Sequence, residues 1–243
     1  MYKIRRFRDL TVMDYMDKEL VIACDSSGAI GNKPNDIIKV DPYVLGRFLV
    51  RVPLMELLSV GAKPFGVMNT LSVEMEPTGR SIIAGIIDEL RQIELDENEV
   101  LNGSTEDNFP TLQTGAGVTV IGVATEIADK SMVGDILCCI GYPKVGDEVK
   151  LDDSEICDLP TMRQIRATLG VHEIVPVGSK GIRYETEELL KRNQATLLWE
   201  DTHLPLVKAA GPSTCAIVTV EEHCLEELKM TKRPVFVLGR ISN

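Results

Sequence analysis

No apolar run in this chain approaches the roughly 18–20 residues needed to cross a membrane, which excludes a spanning helix. The first ten residues, MYKIRRFRDL, do not lead into a signal-peptide core, so a cytoplasmic protein is expected. Positive charge is in the minority: 26 Lys and Arg face 37 Asp and Glu, for a formal net charge of −11. That balance excludes a sequence-independent nucleic-acid surface, which needs clustered cations to displace counterions from phosphates. The six cysteines show no Cys-x-x-Cys spacing and mostly sit in apolar runs, so they read as buried thiols and not as a zinc site. His172, His203 and His223 are too dispersed to declare a metal site or a triad. Also missing is the Gly-x-x-x-x-Gly-Lys-Ser/Thr loop of one large nucleotide-binding class, and the lone Gly-x-x-Gly of Gly28–Gly31 does not open a helix.

What is present is globular composition, 44% hydrophobic and 26% charged, in a chain long enough for one large domain or two ordinary ones. Apolar runs at Leu20–Cys24, Phe65–Val73, Gly117–Val123, Asp135–Tyr142, His172–Val177, Thr214–Val220 and Val235–Gly239 read as strands. Asp41-Pro42 opens a helix toward Val60 that Pro53 should kink or break near Arg51. Further helices are expected from Pro77, Pro160, Tyr184 and Glu221. The fold class is α+β, with two mixed α/β domains over residues 1–130 and 131–243, separated by a linker-like stretch at Glu126–Gly134.

Two segments carry the chemistry. Val21–Asn32, VIACDSSGAIGN, and Gly103–Asp107, GSTED, each end a strand-like run in small residues beside carboxylates. Such loops let backbone and hard oxygen ligands approach a phosphate with its magnesium ions. Ser26, Ser27, Gly28, Gly103, Ser104 and Thr105 are the candidate nucleotide contacts, and Asp9, Asp25, Glu56 and Glu106 the candidate magnesium ligands. Each of these acids alone also reads as a surface charge, and Asp25 as an ordinary turn cap. Lys33, Lys39, Arg47 and Arg51 are placed to neutralise phosphate or to solvate helix and loop faces. The basic patch Lys3–Arg8 reads as a phosphate contact or as a solvated terminal segment.

ELVIACDSSGAIG, then DPYVLGRFLVRVPLMELLSVGAKP, then LNGSTEDNFP, resembles the N-terminal half of the superfamily of aminoimidazole-ribonucleotide synthetase, selenophosphate synthetase, thiamine-monophosphate kinase and a hydrogenase-maturation protein. VGSKGI at 177–182 and KAAGPSTCAIVTV at 208–220 extend the resemblance into the second half. It implies N-terminal domains paired in a homodimer through an intersubunit β-barrel, with ATP held through magnesium by acidic residues. By position it places Asp25, Glu56 and Asp9 among those acids. Where relatives carry Gly-Gly-Asp-Thr, however, this chain has Asn102-Gly103-Ser104-Thr105, leaving Glu106 or Asp107 as the substitute acid. The second-half Ser-Asp-Gly of the kinases is here Ser179-Lys180-Gly181, and a Gly-Glu-Asp motif is Gly211-Pro212-Ser213.

These departures argue against thiamine monophosphate as substrate, and the pattern looks most like the α-ribazole kinase and "synthetase-related" branch. The expected activity is an ATP- and magnesium-dependent small-molecule kinase. Two other readings stand beside it: an ATP-dependent ring-closing synthetase, and a non-catalytic nucleotide-binding regulatory protein.

Overall fold

The computed structural model describes residues 3–243, which form two compact units. One comprises the chain up to Leu58 with Ala62–Glu126, the other Ser59–Gly61 with Ile127–Asn243. No described helix is long and apolar enough to cross a membrane.

The first unit contains β1 (Ile4–Phe7), β2 (Leu10–Tyr15), β3 (Lys18–Gly28), β4 (Ile30–Gly31), β5 (Ile38–Lys39), α1 (Pro42–Ser59), β6 (Lys63–Leu71), α2 (Arg80–Arg91), α3 (Glu97–Val100), β7 (Leu101–Thr105) and β8 (Gly115–Ala124). Six strands make one sheet in the order β1-β2-β3-β8-β6-β7, antiparallel except for the parallel β6–β7 pair. Strand alternation buries Val12, Val21, Val67 and Val120 from this sheet, while Leu54 of α1 and Ile82, Ile86 and Leu90 of α2 are equally enclosed. The two helices approach closely because neither Gly46 nor Gly85 has a side chain: a Cβ on Gly46 would lie 2.0 Å from the Ile82 carbonyl oxygen.

Asp41 caps α1 by accepting from the Tyr43 N–H at 2.9 Å, as the Asp-Pro pair predicts. Pro53, expected to kink or break this helix near Arg51, does not break it and lies inside one continuous helix. Tertiary burial of Leu54, Met55 and Leu57 around the proline outweighs the single backbone donor it removes. The helix expected from Pro77 begins at Arg80 instead, after one wide turn over Met75–Gly79.

The largest departure is at the start of the chain. Lys3–Arg8 is not a solvated tail: β1 pairs with β2, and Arg5 reaches Glu19 at 2.5 Å. The DSSG segment likewise is not a loop. β3 runs through Gly28 in unbroken register with β8, from Glu19↔Ala124 to Gly28↔Gly115. A ten-residue ladder of backbone hydrogen bonds carries Asp25 and the two serines into the sheet despite their weak strand preference.

The second unit holds β9 (Ile136–Ile140), α4 (Leu159–Ala167), β10 (Val171–Pro176), α5 (Gly181–Asn193), β11 (Thr196–Trp199), β12 (Ala216–Val220), α6 (Leu225–Lys229) and β13 (Val235–Ser242). Its five-stranded antiparallel sheet has the order β10-β12-β9-β13-β11. Leu137, Cys139, Val175, Ile182, Leu189, Ile217 and Leu238 form its core, so the cysteines there are buried apolar residues as expected. β11 was not legible in the sequence; Thr196–Trp199 pairs only at the sheet edge.

Candidate functional site

Sheet register brings the two chemistry-bearing segments to one level of the first sheet. Asp25 lies opposite Val118, Val118 opposite Asn69, and Asn69 beside Gly103. Two rows along, Ser27, Ala116, Leu71 and Thr105 are aligned in the same way. Residues directly opposite share a face, so Asp25, Ser27, Asn69, Gly103 and Thr105 face one side, and Ser26, Thr70 and Ser104 the other. Two strands intervene between β3 and β7, which separates Asp25 from Gly103 by ~14 Å.

A cavity of about 270 Å³ adjoins β7, lined by Asn69, Met75, Ile83, Leu101, Asn102, Gly103, Ser104 and Thr105. Its back wall requires Gly103, because a Cβ there would fall 2.3 Å from Asn69 Nδ2. Asn69 Nδ2 donates to the Asn102 carbonyl oxygen at 3.1 Å, while its buried Oδ1 has no hydrogen-bond partner. Ser27 Oγ is buried and unpartnered as well. Buried oxygens left without a donor or cation carry a desolvation penalty that a bound ligand relieves. Both lie on the Asp25 side of the sheet.

The candidate acids separate into distinct groups. Burial pushes the Asp25 carboxyl above its ordinary pKa; the Ser26 backbone N–H opposes this and the neighbouring charge of Asp9 adds to it. Asp9, in the turn between β1 and β2, is therefore near enough for its charge to act on Asp25. Glu56 is buried on α1 and is held by Arg8, with Nη2 at 3.2 Å from Oε2. Glu106 stands apart: its N–H donates to the Leu71 and Val73 carbonyls and its carboxylate accepts from the Asn108 N–H at 2.8 Å. Among the described residues no three His, Cys, Asp or Glu side chains are arranged to hold a metal ion.

Other cations expected near phosphate are engaged by protein groups. Arg47 and Arg51 grip the buried Glu89 at 2.6 and 2.7 Å, and so join α1 to α2. Lys33 Nζ bonds Glu74 Oε2 at 2.6 Å and the Thr111 carbonyl at 3.1 Å, and Lys39 Nζ reaches the Pro34 carbonyl. Burial opposes ionisation of Glu74, but Lys33 and Thr78 hold its carboxyl below the usual range. Asp107 closes the turn beside the cavity: it accepts from the Met75 N–H and from Thr105 Oγ1, both at 2.8 Å, and these bonds lower its pKa.

Asn69 and Met75 line the cavity and were not singled out for it. Asn69 had a legible signal, a polar side chain at the alternate position between the inward Val67 and Leu71 of an apolar strand. Met16, by contrast, is 88% exposed in the turn after β2. In the second unit, His203 packs edge-on against Phe236 with ring centroids 5.4 Å apart, and His172 Nδ1 lies 2.8 Å from Asp135.

Residues 8–124 match the family profile described as AIR synthase related protein, N-terminal domain. This stretch of the chain is thus similar in sequence to the N-terminal domain of AIR synthase related proteins. No curated protein sequence matches the chain. Solved structures share the fold of both units. Thiamine-monophosphate kinase from Stenotrophomonas maltophilia K279a superposes with TM-score 0.67 at 16% identity, over 99% of this chain and 89% of that one. AaThiL complexed with AMPPCP and TMP gives 0.65 at 10% identity, covering 97% and 84%. T. maritima PurL complexed with ADP gives 0.64 at 15% identity, covering all of this chain and 43% of that one.

Proposed function

We propose that this protein is an ATP- and magnesium-dependent small-molecule kinase that phosphorylates a nucleoside-like hydroxyl, with α-ribazole as the acceptor to test first. The observation that carries the proposal is the row of Asp25, Ser27, Asn69, Gly103 and Thr105 on one sheet face, with two unpartnered buried oxygens and a cavity at its end. Solved structures of the same fold that carry AMPPCP or ADP are consistent with a nucleotide at this domain.

The donor set fits magnesium, which takes one or two carboxylates and leaves its other positions to phosphate and water. Asp25 and Asp9 would hold it, and the bound ion would offset polyphosphate charge. Ser27 and Thr105 offer hydroxyls to phosphate oxygens, and the bare Gly103 backbone permits close approach. Phosphoryl transfer depends mainly on position and electrostatics, so a site without an activated nucleophile suffices. Residues 1–130 are assigned to nucleotide binding and dimerisation, and residues 131–243 to the acceptor.

Incubation with magnesium-ATP and a nucleoside panel that includes α-ribazole, read by mass spectrometry, is the test. ADP with a nucleoside monophosphate is expected. Tight magnesium-ATP binding with no ADP formed would support the second reading, a non-catalytic nucleotide-binding protein, which the engagement of Glu56 by Arg8 favours.

A further inference from the structure

Within the kinase reading, on which this inference rests, one buried ion pair stands where the sequence led us to expect a metal ligand. Arg8 Nη2 lies 3.2 Å from Glu56 Oε2, and the two side chains are only 8% and 11% exposed. Arg8 takes a left-handed backbone conformation, φ 54°, at the β1–β2 turn, and its guanidinium lies 5.1 Å over the Phe7 ring. The residue that follows is Asp9, whose charge acts on Asp25. One turn therefore carries a carboxylate whose charge acts on Asp25 and a guanidinium paired with Glu56.

We infer that Arg8 is a built-in cation of the phosphate site, taking at Glu56 the place of a divalent ion and so reducing the number of metal ions the site binds. Glu56 is then not a metal ligand while Arg8 is present. A divalent cation competing for Glu56 has to displace a guanidinium that cannot deprotonate and has little water to retreat into. The absence of any three-carboxylate group among the described residues agrees with this division of labour. Arg8 acts through charge and position; it is a positioning residue.

Mn2+ binding to the full chain, counted by electron paramagnetic resonance with and without AMPPCP, tests the inference. Glu56→Gln is expected to leave the number of bound ions unchanged and their affinity within about twofold of wild type. Arg8→Met, which keeps an apolar stem against Phe7, is expected to add one Mn2+ site per chain, absent again in Arg8→Met/Glu56→Gln. Arg8→Lys, which restores the charge, is expected to add none. A tenfold loss of affinity in Glu56→Gln, or no added site in Arg8→Met, would overturn the inference. The Glu56→Gln arm decides even if Arg8→Met fails to fold. Asp25→Asn reports on the kinase reading separately: wild-type Mn2+ affinity retained there overturns Asp25 as a ligand without altering the Arg8 comparison.

Discussion

At the scale of single residues, Asp25 is the most exposed to test. Its folded pKa lies above the unfolded value, so with no cation bound its ionised form destabilises the fold. That penalty is absent below the unfolded pKa and sets in as pH rises through the folded one. Asp25→Asn should therefore melt no lower than wild type at neutral pH without divalent ions, and lose any advantage by about pH 3. Metal-dependent ATP turnover should fall on the order of 100-fold. Asp153 is unsuited as the neutral control that its polar LDDSE setting suggests, because it binds Lys144 at 2.5 Å and its pKa is lowered, burial notwithstanding, by Lys144 and the Glu155 N–H. The exposed Asp17 serves instead.

Asp36 behaves in the opposite sense. Burial opposes its ionisation, but the Thr114 N–H and hydroxyl at 2.7 Å and the Lys33 N–H at 2.8 Å hold its pKa below the ordinary value. Its contribution is complete above the unfolded pKa and is lost as pH falls through the folded one. Urea titration of Asp36→Ala should show a loss of about 1–3 kcal/mol at pH 7 that shrinks toward pH 3.

At the scale of elements, β7 and the helix crossing of α1 on α2 make contrasting predictions from the same substitution. Gly103→Ala forces a methyl into the Asn69 side chain, so nucleotide-dependent thermal stabilisation should be largely lost while the fold weakens by about 1–3 kcal/mol. Gly46→Ala drives a methyl against backbone, the Ile82 carbonyl, and should lower stability at least as much. Differential scanning fluorimetry with and without magnesium-ATP separates the two. Equal loss of ligand response in both variants would mean that the β7 cavity is not the nucleotide site.

Elements were legible wherever a local signal was strong. Asp41-Pro42 at α1 and Asp158 before Pro160 at α4 start helices by capping geometry that the sequence states outright. The DSSG segment and Pro53 were misread because local preference is outweighed there, in one case by a ladder of hydrogen bonds to β8 and in the other by burial on both sides.

At the scale of the whole molecule, the half-covered face of the first sheet bears on assembly. Leu20 lies opposite Val123 and Ile22 opposite Ile121 on the face away from Val21 and Val120. Four branched side chains there, with Phe65 52% exposed on β6, favour a second copy as cover. Sedimentation should find a dimer at micromolar concentration, and Ile121→Asp a monomer. Saturation with magnesium-ATP at about 100 times Kd should add ~2.7 kcal/mol, and ATP with excess chelator far less.

Alternation of apolar residues, caps and turn glycines determined from the sequence alone that the chain is mixed α and β, and the order of Asp25, Glu56 and Gly103–Thr105 pointed to the superfamily that its first unit resembles. Which of those residues share a site was decided only by tertiary structure. Strand register set Asn69 between the two motifs, and packing of α1 set the buried Glu56 beside Arg8. The physical reason is that an acid's role depends on which cation reaches it at low dielectric, and residues 48 positions apart meet only when the sheet and helix pack.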